Sequence, residues 1–354
     1  MHTKEYIQDL KKRIDLNLII NKLNNLKDLK VLVIGEPIID EYVFTLPKGR
    51  AIKDPILSLD FIKSEKYAGG ILAIANHIAD FVDSLTLVTI LGDYMREEEL
   101  IRNILKANIN LKLFTKKNSP TINKTRYIDD LRKTKLFKVE YINDKSISEE
   151  QEKEVMDYLK EELPKYELVV IGDFGHGFIS NNIVKVLEKY SKSISANVQT
   201  NSSNMGYNYI TKYNKIDYLT SNEPEVRLAL SDRFGSFERV INKLEERTNF
   251  RNILITQGSD GCLLVKNNKK YIGPSLTSNV KDIVGAGDAV FAVTSLLNYK
   301  GADEELLIFI ANSVGALAVN IIGNKESIKK ENLIKFIEKL FNKAEKEDVQ
   351  NELE

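Results

Sequence analysis

The sequence predicts an α/β fold in which a mainly parallel β-sheet is covered by helices on both faces and carries a small β-sheet lid. Short, almost wholly apolar strands alternate with amphipathic helical patterns, which is typical of such sheets. Two stretches rich in Thr, Tyr, Ile, Val and Phe interrupt this alternation and predict the lid. The 354 residues, 43% of them hydrophobic, suffice for one large unit of this kind with an appendage.

The first 28 residues are expected to form a helical extension. Apolar residues recur at helical spacing across residues 4–28, so we expect one amphipathic helix packed against the body. The main domain then spans residues 29–340. Residues 341–354 form a charged tail, which we expect to fray.

The main domain consists of predicted strands and helices in turn. Predicted strands of the main sheet are residues 30–35, 85–90, 168–171, 194–198, 218–220 and 253–256. Predicted helices are residues 71–81, 97–107, 149–163, 182–190, 237–247 and 289–297. The lid strands are expected within residues 41–66 and 110–142.

The charges of the chain are balanced, with 51 Lys and Arg against 51 Asp and Glu. No global charge therefore favours binding to nucleic acid or to an anionic membrane. No apolar stretch approaches the roughly 20 residues that span a bilayer, and the N-terminus lacks the pattern of a signal peptide. The single cysteine, Cys262, lies in an apolar run and excludes an intrachain disulfide. We expect a cytoplasmic protein.

The most informative segment is Asp282–Asp288, which runs directly into an apolar helix pattern. Gly285 and Gly287 flank Ala286, and glycines allow the backbone to turn its N–H groups toward an anion. A helix N-terminus adds partial positive charge, so the segment suits a phosphate. Asp288 cannot itself bind phosphate, but it can take a proton from the group that attacks one. Its alternative role is to cap the helix.

Polar residues and glycines follow several predicted strands, at the edge where ligands bind in open parallel sheets. Each could instead satisfy backbone groups of its own loop. Their recurrence at one edge favours a ligand site built from Asp40, Asp173, Asn222, Glu225, Gly258 and Gly261.

Several motifs together resemble a known family. Asp282–Asp288 resembles the Asp-Thr-x-Gly-Ala-Gly-Asp signature of the ribokinase, or PfkB, superfamily of sugar kinases. Gly69-Gly70, Asn222–Glu225 and Thr256–Gly261 resemble its Gly-Gly, Asn-x-x-Glu and Thr-x-Gly-x-x-Gly motifs. The resemblance spans residues 30 to about 330 in the right order. It implies a ribokinase-like three-layer α/β/α sandwich.

Within this superfamily the chain is most similar to the kinase half of bacterial heptose-7-phosphate kinase/adenylyltransferases. Ser119–Arg126 resembles their Arg-Pro-Thr-Thr-x-Lys-Thr-Arg segment, and Gly172–Gly177 resembles Ser-Asp-Tyr-Gly-Lys-Gly. The resemblance implies an ATP-dependent kinase that phosphorylates a hydroxyl of a sugar or sugar phosphate, for activated-sugar or surface-polysaccharide synthesis. Because the nucleotidyltransferase half is missing, we expect a separate nucleotidyltransferase in the same pathway.

The resemblance also assigns roles in phosphoryl transfer. Asp288 would deprotonate the sugar hydroxyl. Charge on the phosphoryl group would be stabilised by the N–H groups of Gly285, Ala286 and Gly287. Asp282 would brace this loop, where the resemblance also implies a monovalent cation.

The nucleotide side is assigned in the same way. Asn222 and Glu225 would hold Mg²⁺ largely through water. Residues implied to contact the nucleotide are Thr256, Gly258, Gly261 and Asn312. For Asn312 the alternative is a position on a helix surface.

The sugar site is predicted at Asp40, Gly69, Gly70 and Asn76. Lys124 and Arg126 would bind a phosphate already on the substrate, Arg126 with two hydrogen bonds and Lys124 as a point charge. The alternative for both is a solvated lid surface. Asp173 either joins the sugar site or lies in a buried loop.

Three departures from the family leave the identity of the sugar open. Ala73 stands where a substrate-binding asparagine is expected, so Asn76, almost one helical turn later, is the candidate to replace it. His176 replaces a lysine. The expected Asp-Pro-Lys-Gly gives way to an amide-rich loop, residues 197–208. Its amides and aromatic rings suit a neutral polyol, unless they are bound to the loop's own backbone.

A non-catalytic sugar- or nucleotide-binding protein on the same scaffold is the alternative function, which the intact Asp288 disfavours. A dinucleotide-dependent oxidoreductase is excluded, because Gly35-Glu36-Pro37 stands where that class has a Gly-x-Gly-x-x-Gly turn. The exposed edges of the lid strands predict a homodimer joined through the lids.

Overall fold

The computed structural model describes residues 3–351, with side chains described for residues 4–342. The strands are β1 (Val31–Gly35), β2 (Pro37–Arg50), β3 (Leu57–Gly70), β4 (Leu85–Tyr94), β5 (Ile109–Pro120), β6 (Asn123–Asp129), β7 (Thr134–Tyr141), β8 (Leu168–Asp173), β9 (Ile194–Val198), β10 (Tyr218–Asn222), β11 (Asn252–Thr256), β12 (Cys262–Lys266) and β13 (Lys269–Gly273). The helices are α1 (Thr3–Lys11), α2 (Leu16–Asn24), α3 (Ile71–Ala79), α4 (Glu98–Ile104), α5 (Glu149–Glu162), α6 (Asn181–Tyr190), α7 (Glu223–Ala229), α8 (Phe237–Arg247), α9 (Ala286–Tyr299), α10 (Glu304–Ala318) and α11 (Lys330–Asn351).

The main sheet has nine strands in the order β13-β12-β11-β10-β9-β8-β1-β4-β5. Neighbours from β11 to β5 pair in parallel, and the hairpin β12–β13 adds two antiparallel strands at one edge. The predicted mainly parallel sheet is confirmed. The hairpin was not predicted. Its turn residues, Asn267 and Asn268, both have positive φ, as a tight hairpin turn requires.

Helices cover both faces of this sheet. Along β1, Val31 and Val33 belong to one hydrophobic core, and Leu32 and Ile34 belong to the other. The first core lies under α1, α2, α3, α9, α10 and α11, and the second lies under α5, α6, α7 and α8. Because successive side chains of a strand point to opposite faces, this division shows three layers.

The lid is a separate four-stranded sheet in the order β3-β2-β6-β7. Within it, β2 pairs antiparallel with β3 and parallel with β6. The prediction that residues 110–142 all belong to the lid is wrong, because β5 pairs with β4 at the edge of the main sheet. A β-rich stretch without a helix does not reveal where the chain changes sheets.

One further expectation needs correction. Residues 4–28 form two helices rather than one, since Asp15 takes an extended conformation (φ −80°, ψ 141°) immediately before α2. The backbone at 341–351 is helical and continues α11, and the fraying of the charged tail stays a prediction. Residues 352–354 lie outside the described residues. The buried helix α10 was not predicted. Within residues 3–351, no helix is long and apolar enough to cross a bilayer.

Candidate active site

The N-terminus of α9 provides a cradle for an anion. Gly285 precedes the helix in the left-handed conformation (φ 82°, ψ −5°). A side chain there would place its Cβ 1.9 Å from Asn324 Oδ1, so only glycine fits this turn. The Gly287 N–H lies in the first turn, has no partner within an α-helix and can face a ligand, whereas the Ala286 N–H donates a long 3.4 Å hydrogen bond to the Ile283 carbonyl oxygen.

Asp288 lies buried in the first turn of α9. Its Oδ1 accepts a 2.7 Å hydrogen bond from Gln199 Nε2, a contact that does not support a capping role. Burial raises the pKa of Asp288 to about 7, and the negative charges of Asp40 and Glu225 act in the same direction. The hydrogen bond from Gln199 and the charge of Lys124 oppose this rise in pKa. A carboxylate with a pKa near neutrality suits a general base.

Gln199 was not predicted as a site residue, because its amide-rich loop was treated as a whole. Asn197, two residues earlier, accepts from Gln199 Nε2 at 2.8 Å and donates to the Thr220 carbonyl oxygen at 2.8 Å. Side-chain amides therefore connect the main sheet to Asp288.

Asp40 lies buried in β2 beside the Gly-Gly turn. A Cβ on Gly69 would lie 2.3 Å from Asp40 Oδ2, and Gly70 has a positive φ of 55° at the start of α3. Both glycines therefore shape the space around Asp40. Asn324 Nδ2 lies 3.5 Å from Asp40 Oδ2, so Asn324 contacts both Asp40 and the turn at Gly285.

The cations predicted on the lid face inward, and the solvated-surface alternative is wrong for both. Arg126 forms an ion pair with Asp40. Lys124 is only 8% exposed, and its Nζ lies 3.3 Å from His176 Nε2. Burial lowers the pKa of Lys124, and the charge of Lys124 lowers the pKa of Asp288. His176 Nδ1 in turn lies 2.7 Å from an Asp144 carboxylate oxygen.

Asp173 is not part of the sugar site. Its side chain is fully buried and accepts hydrogen bonds from Tyr213 Oη (2.7 Å) and the Gly175 N–H (3.2 Å), and it forms an ion pair with Lys212. The buried-loop alternative is therefore the correct one. Glu36, which was not predicted, accepts from three N–H groups of the same loop, those of Phe174, His176 and Phe178.

Asn76 does not replace the missing asparagine. Its Nδ2 donates to the Ile104 carbonyl oxygen at 3.0 Å, and its Oδ1 accepts from the Lys106 N–H at 3.1 Å. Both ends of the amide therefore tie α3 to the segment that follows α4.

The amide-rich loop is held mainly by its own side chains. Asn201 and Asn204 both donate to the Phe174 carbonyl oxygen, at 2.9 and 2.7 Å. Asn208 donates to the backbone oxygens of Asp173 and Gln199. The interpretation of these asparagines as polyol ligands is wrong, since their amide groups bind the backbone. Gln199 is the member of this loop that reaches Asp288.

A cleft of about 1070 Å³ opens at the ends of β10 and β11, and its size suits a nucleotide. Thr256 and Gly258 line it, together with residues from Asn222 to Arg233. Gly261 shapes the neighbouring turn, since a Cβ there would lie 2.1 Å from the Gly273 carbonyl oxygen.

Asn312 is buried in α10, so its helix-surface alternative is wrong. Its Nδ2 lies 3.1 Å from Cys262 Sγ and donates to the carbonyl oxygens of Gly273 (3.3 Å) and Ile308 (3.1 Å). The side chain thus joins α10 to the hairpin β12–β13.

Asn222 and Glu225 form a capping box at the start of α7. The Glu225 N–H donates to Asn222 Oδ1 at 2.9 Å, and the Asn222 N–H donates to Glu225 Oε2 at 3.2 Å. Burial raises the pKa of Glu225. No group of three or more His, Cys, Asp or Glu among residues 4–342 is arranged to bind a metal directly. These oxygens have spare lone pairs, so they fit a hydrated Mg²⁺ held through its water.

Asp282 braces the turn before α9. It accepts from the N–H groups of Val284 (3.2 Å) and Gly323 (3.1 Å) and from Tyr42 Oη (3.3 Å). Burial favours a higher pKa, but an ion pair with Lys135 of β7 at 2.8 Å and the two N–H groups hold the pKa of Asp282 below its usual value. This ion pair connects the lid to the anion cradle.

Comparison with known proteins identifies the family of the chain. The model of the pfkB family of carbohydrate kinases matches residues 29–331. The chain belongs to this family. It is 25% identical over 300 residues to the bifunctional protein HldE of Desulfatibacillum aliphaticivorans, which covers 83% of this chain and 60% of that protein. The chain thus spans about 60% of the length of this relative.

Two solved structures share the fold. Escherichia coli phosphofructokinase-2 in complex with potassium has a TM-score of 0.68 at 15% identity, covering 89% of this chain and 99% of that chain. Arabidopsis thaliana ribokinase complexed with ribose and ATP has a TM-score of 0.66 at 17% identity, covering 88% and 99%. The predicted ribokinase-like sandwich is confirmed.

Proposed function

We propose that the protein transfers the γ-phosphoryl group of ATP to a hydroxyl of a sugar phosphate similar to a heptose phosphate. The observation that carries this proposal is the placement of Asp288, with a pKa of about 7, in the first turn of a helix whose N-terminal N–H groups suit a phosphate. A base and an anion cradle within one helical turn are what transfer of a phosphoryl group to an alcohol needs.

In this reaction the hydroxyl oxygen attacks the γ-phosphorus and Asp288 accepts the hydroxyl proton. The bond from phosphorus to the β,γ-bridging oxygen breaks, and ADP leaves with that electron pair. The Gly287 N–H stabilises charge on the phosphoryl oxygens, and the Ala286 N–H joins it by giving up its long 3.4 Å bond to the Ile283 carbonyl oxygen. Asn222 and Glu225 would hold a hydrated Mg²⁺ through its water, and that ion would supply neutralisation of phosphate charge when ATP is bound.

Lys124 supports a substrate that already carries a phosphate. It is a buried ammonium whose contacts are His176 Nε2 at 3.3 Å and the Glu140 carboxylate at 3.9 Å. A second anion in the cleft would supply the missing hydrogen-bond acceptors. Arg126 is paired with Asp40 and assists by charge. The similarity to HldE supports a role in activated-sugar or surface-polysaccharide synthesis, with a separate nucleotidyltransferase as a pathway partner.

The proposed assembly is a homodimer joined through the lids. Several large apolar side chains of the lid are exposed, among them Phe61 on β3 (69%), Leu131 before β7 (76%) and Phe137 on β7 (47%). Exposed apolar side chains on a small sheet favour an interface in which a second copy of the chain covers them. Sedimentation at micromolar concentration should show a dimer that Phe61→Lys weakens; a wild-type monomer would contradict this assembly.

The function is tested by measuring ADP release over a panel of sugars and sugar phosphates with Mg²⁺ and ATP. We expect turnover with a sugar phosphate, and a 10²- to 10⁴-fold loss of kcat in Asp288→Asn. Asp157→Asn, at an exposed position of α5, is the matched control and should retain full activity. Sugar binding without turnover would instead indicate a non-catalytic binding protein.

Lys124→Met separates the two substrate classes. We expect it to raise KM for a phosphorylated sugar about 100-fold, since hydrogen bonds to charged groups contribute about 1.5–3 kcal/mol. KM for ATP should stay unchanged. An equal effect on a sugar and on its phosphate would argue against a phosphate at Lys124.

A further inference from the structure

We infer that Gln199 is a positioning residue that fixes the carboxylate of Asp288 for removal of the proton from the sugar hydroxyl. This inference rests on the proposed function and adds a residue that the motifs of the family did not indicate. It concerns the chain of side-chain amides that runs from the main sheet to the reacting carboxylate.

The orientation of this chain follows from its fixed end. Thr220 and Asn197 are partners on the neighbouring strands β10 and β9. Because the Thr220 carbonyl oxygen can only accept, Asn197 must present Nδ2 to it and Oδ1 to Gln199. Gln199 Nε2 then lies between two acceptors, Asn197 Oδ1 at 2.8 Å and Asp288 Oδ1 at 2.7 Å. Both of its N–H groups are used, and neither amide can flip without losing a bond.

The backbone of Gln199 is fixed as well. Its N–H donates to the Asp173 carbonyl oxygen at 2.8 Å, at the end of β8. Gln199 is therefore anchored directly to β8 and β9 and, through Asn197, to β10, and its side chain lies partly buried. A side chain held in this way orders the group that it contacts.

One oxygen of Asp288 is thus fixed and the other is left for the substrate. Within residues 4–342, no hydrogen bond reaches Asp288 Oδ2. Binding of Oδ1 by Gln199 prevents rotation of the carboxylate and directs Oδ2 toward an incoming hydroxyl. An amide achieves this without the positive charge that would make the carboxylate a weaker base.

The charged groups that act on Asp288 come from three other elements. Asp40 of β2 and Glu225 of α7 oppose its ionisation, and Lys124 of β6 favours it. Gln199 also favours the ionised form, because it donates to the carboxylate. Loss of that donor should raise the pKa of Asp288 by about one to two units, as expected for a hydrogen bond to a charged group.

The decisive variants are Gln199→Leu, which removes the donor at similar size, and Gln199→Lys, which replaces it with a charge. With carboxyl-¹³C-aspartate, the Asp288 resonance is assigned by its disappearance in Asp288→Asn and titrated by NMR in the free protein. We expect a midpoint near pH 7 in the wild type. The midpoint should rise by about one to two units in Gln199→Leu and fall in Gln199→Lys.

Kinetics test the same point in the reaction. With the panel sugar that gives the highest kcat/KM, the acid limb of the pH profile should move with the NMR midpoint. Gln199→Leu should lose about ten-fold in kcat/KM at pH 7 and recover most of it above pH 9. A purely structural defect would lower activity equally at every pH.

Asn204→Ala is the matched control, because Asn204 lies in the same loop and binds the Phe174 carbonyl oxygen without touching Asp288. Its midpoint should equal that of the wild type. An unshifted Asp288 midpoint in Gln199→Leu would overturn the inference. The two proposals fail separately: absence of turnover with every sugar refutes the proposed kinase, whereas the NMR titration tests Gln199 without any substrate.

Discussion

Replacement of Asp288 by asparagine should lower kcat 10²- to 10⁴-fold and at the same time stabilise the protein in a pH-dependent way. Burial raises the pKa of Asp288 from its ordinary value of 3.8 to about 7. Between these values the folded protein holds a proton that the unfolded chain has released, so the stability contributed by Asp288 is full below pH 4 and is lost as the pH rises through 7. Asparagine carries no such proton.

The magnitude follows from the two pKa values. A difference of about three units, at 1.36 kcal/mol per unit, corresponds to roughly 4 kcal/mol. The free energy of unfolding of Asp288→Asn, relative to the wild type, should therefore rise by up to about 4 kcal/mol between pH 4 and pH 7.5 and then stay constant. The asparagine Oδ1 can still accept from Gln199, which keeps the local contact.

Urea unfolding without nucleotide, measured at intervals from pH 5 to pH 8.5, provides the assay. Asp157→Asn is the control. The pKa of Asp157 is held below its ordinary value by hydrogen bonds from Lys160 and Lys153, which outweigh its desolvation, so its contribution should not change over this range. A constant difference between Asp288→Asn and the wild type at all these pH values would refute a buried carboxylate of raised pKa.

Two further substitutions test the roles assigned to buried groups. Gly69→Ala would place a Cβ 2.3 Å from Asp40 Oδ2. In steady-state assays KM for the sugar should therefore rise at least about ten-fold while KM for ATP stays unchanged. A variant with the same KM for the sugar as the wild type would contradict this. Lys212→Met leaves the Asp173 carboxylate buried without a counter-charge and should cost about 3–5 kcal/mol in urea unfolding with little effect on kcat. The control Lys189→Met, at an exposed position of α6, should lower the free energy of unfolding by less than about 0.5 kcal/mol. Similar losses in the two variants would argue against a stabilising ion pair between Lys212 and Asp173.

The sequence predicts the parallel sheet and the glycine turn that starts α9 well because both depend on local patterns. Apolar runs identify strands such as β1, and the glycines flanking Ala286 identify a turn of fixed shape. The parts that were predicted wrongly depend on long-range pairing. Whether residues 109–120 join the lid or the main sheet is decided by their partner β4, which the local sequence does not specify.

The same limit applies to the side chains of the site. Asp173 and Asn76 have the types and spacing of ligands, but their partners, Tyr213 and the backbone at 104–106, lie far away in sequence. Gln199 reaches Asp288 across 89 positions, and no local pattern indicates that contact. Composition identifies polar groups that need partners, and the fold decides whether a partner is protein or substrate.

The strand β2 runs without interruption from the centre of the molecule to the tip of the lid. It starts at Pro37, separated from the end of β1 by the single residue Glu36, carries Asp40 near its base and ends at Arg50. Its antiparallel neighbour β3 returns to the Gly69-Gly70 turn opposite that base. Any swing of the lid must therefore pivot about the residues that would touch the sugar. Binding of the sugar at the base of β2 and closure of the lid should therefore be coupled. A sugar that fits poorly should leave the lid open and the nucleotide exposed to water.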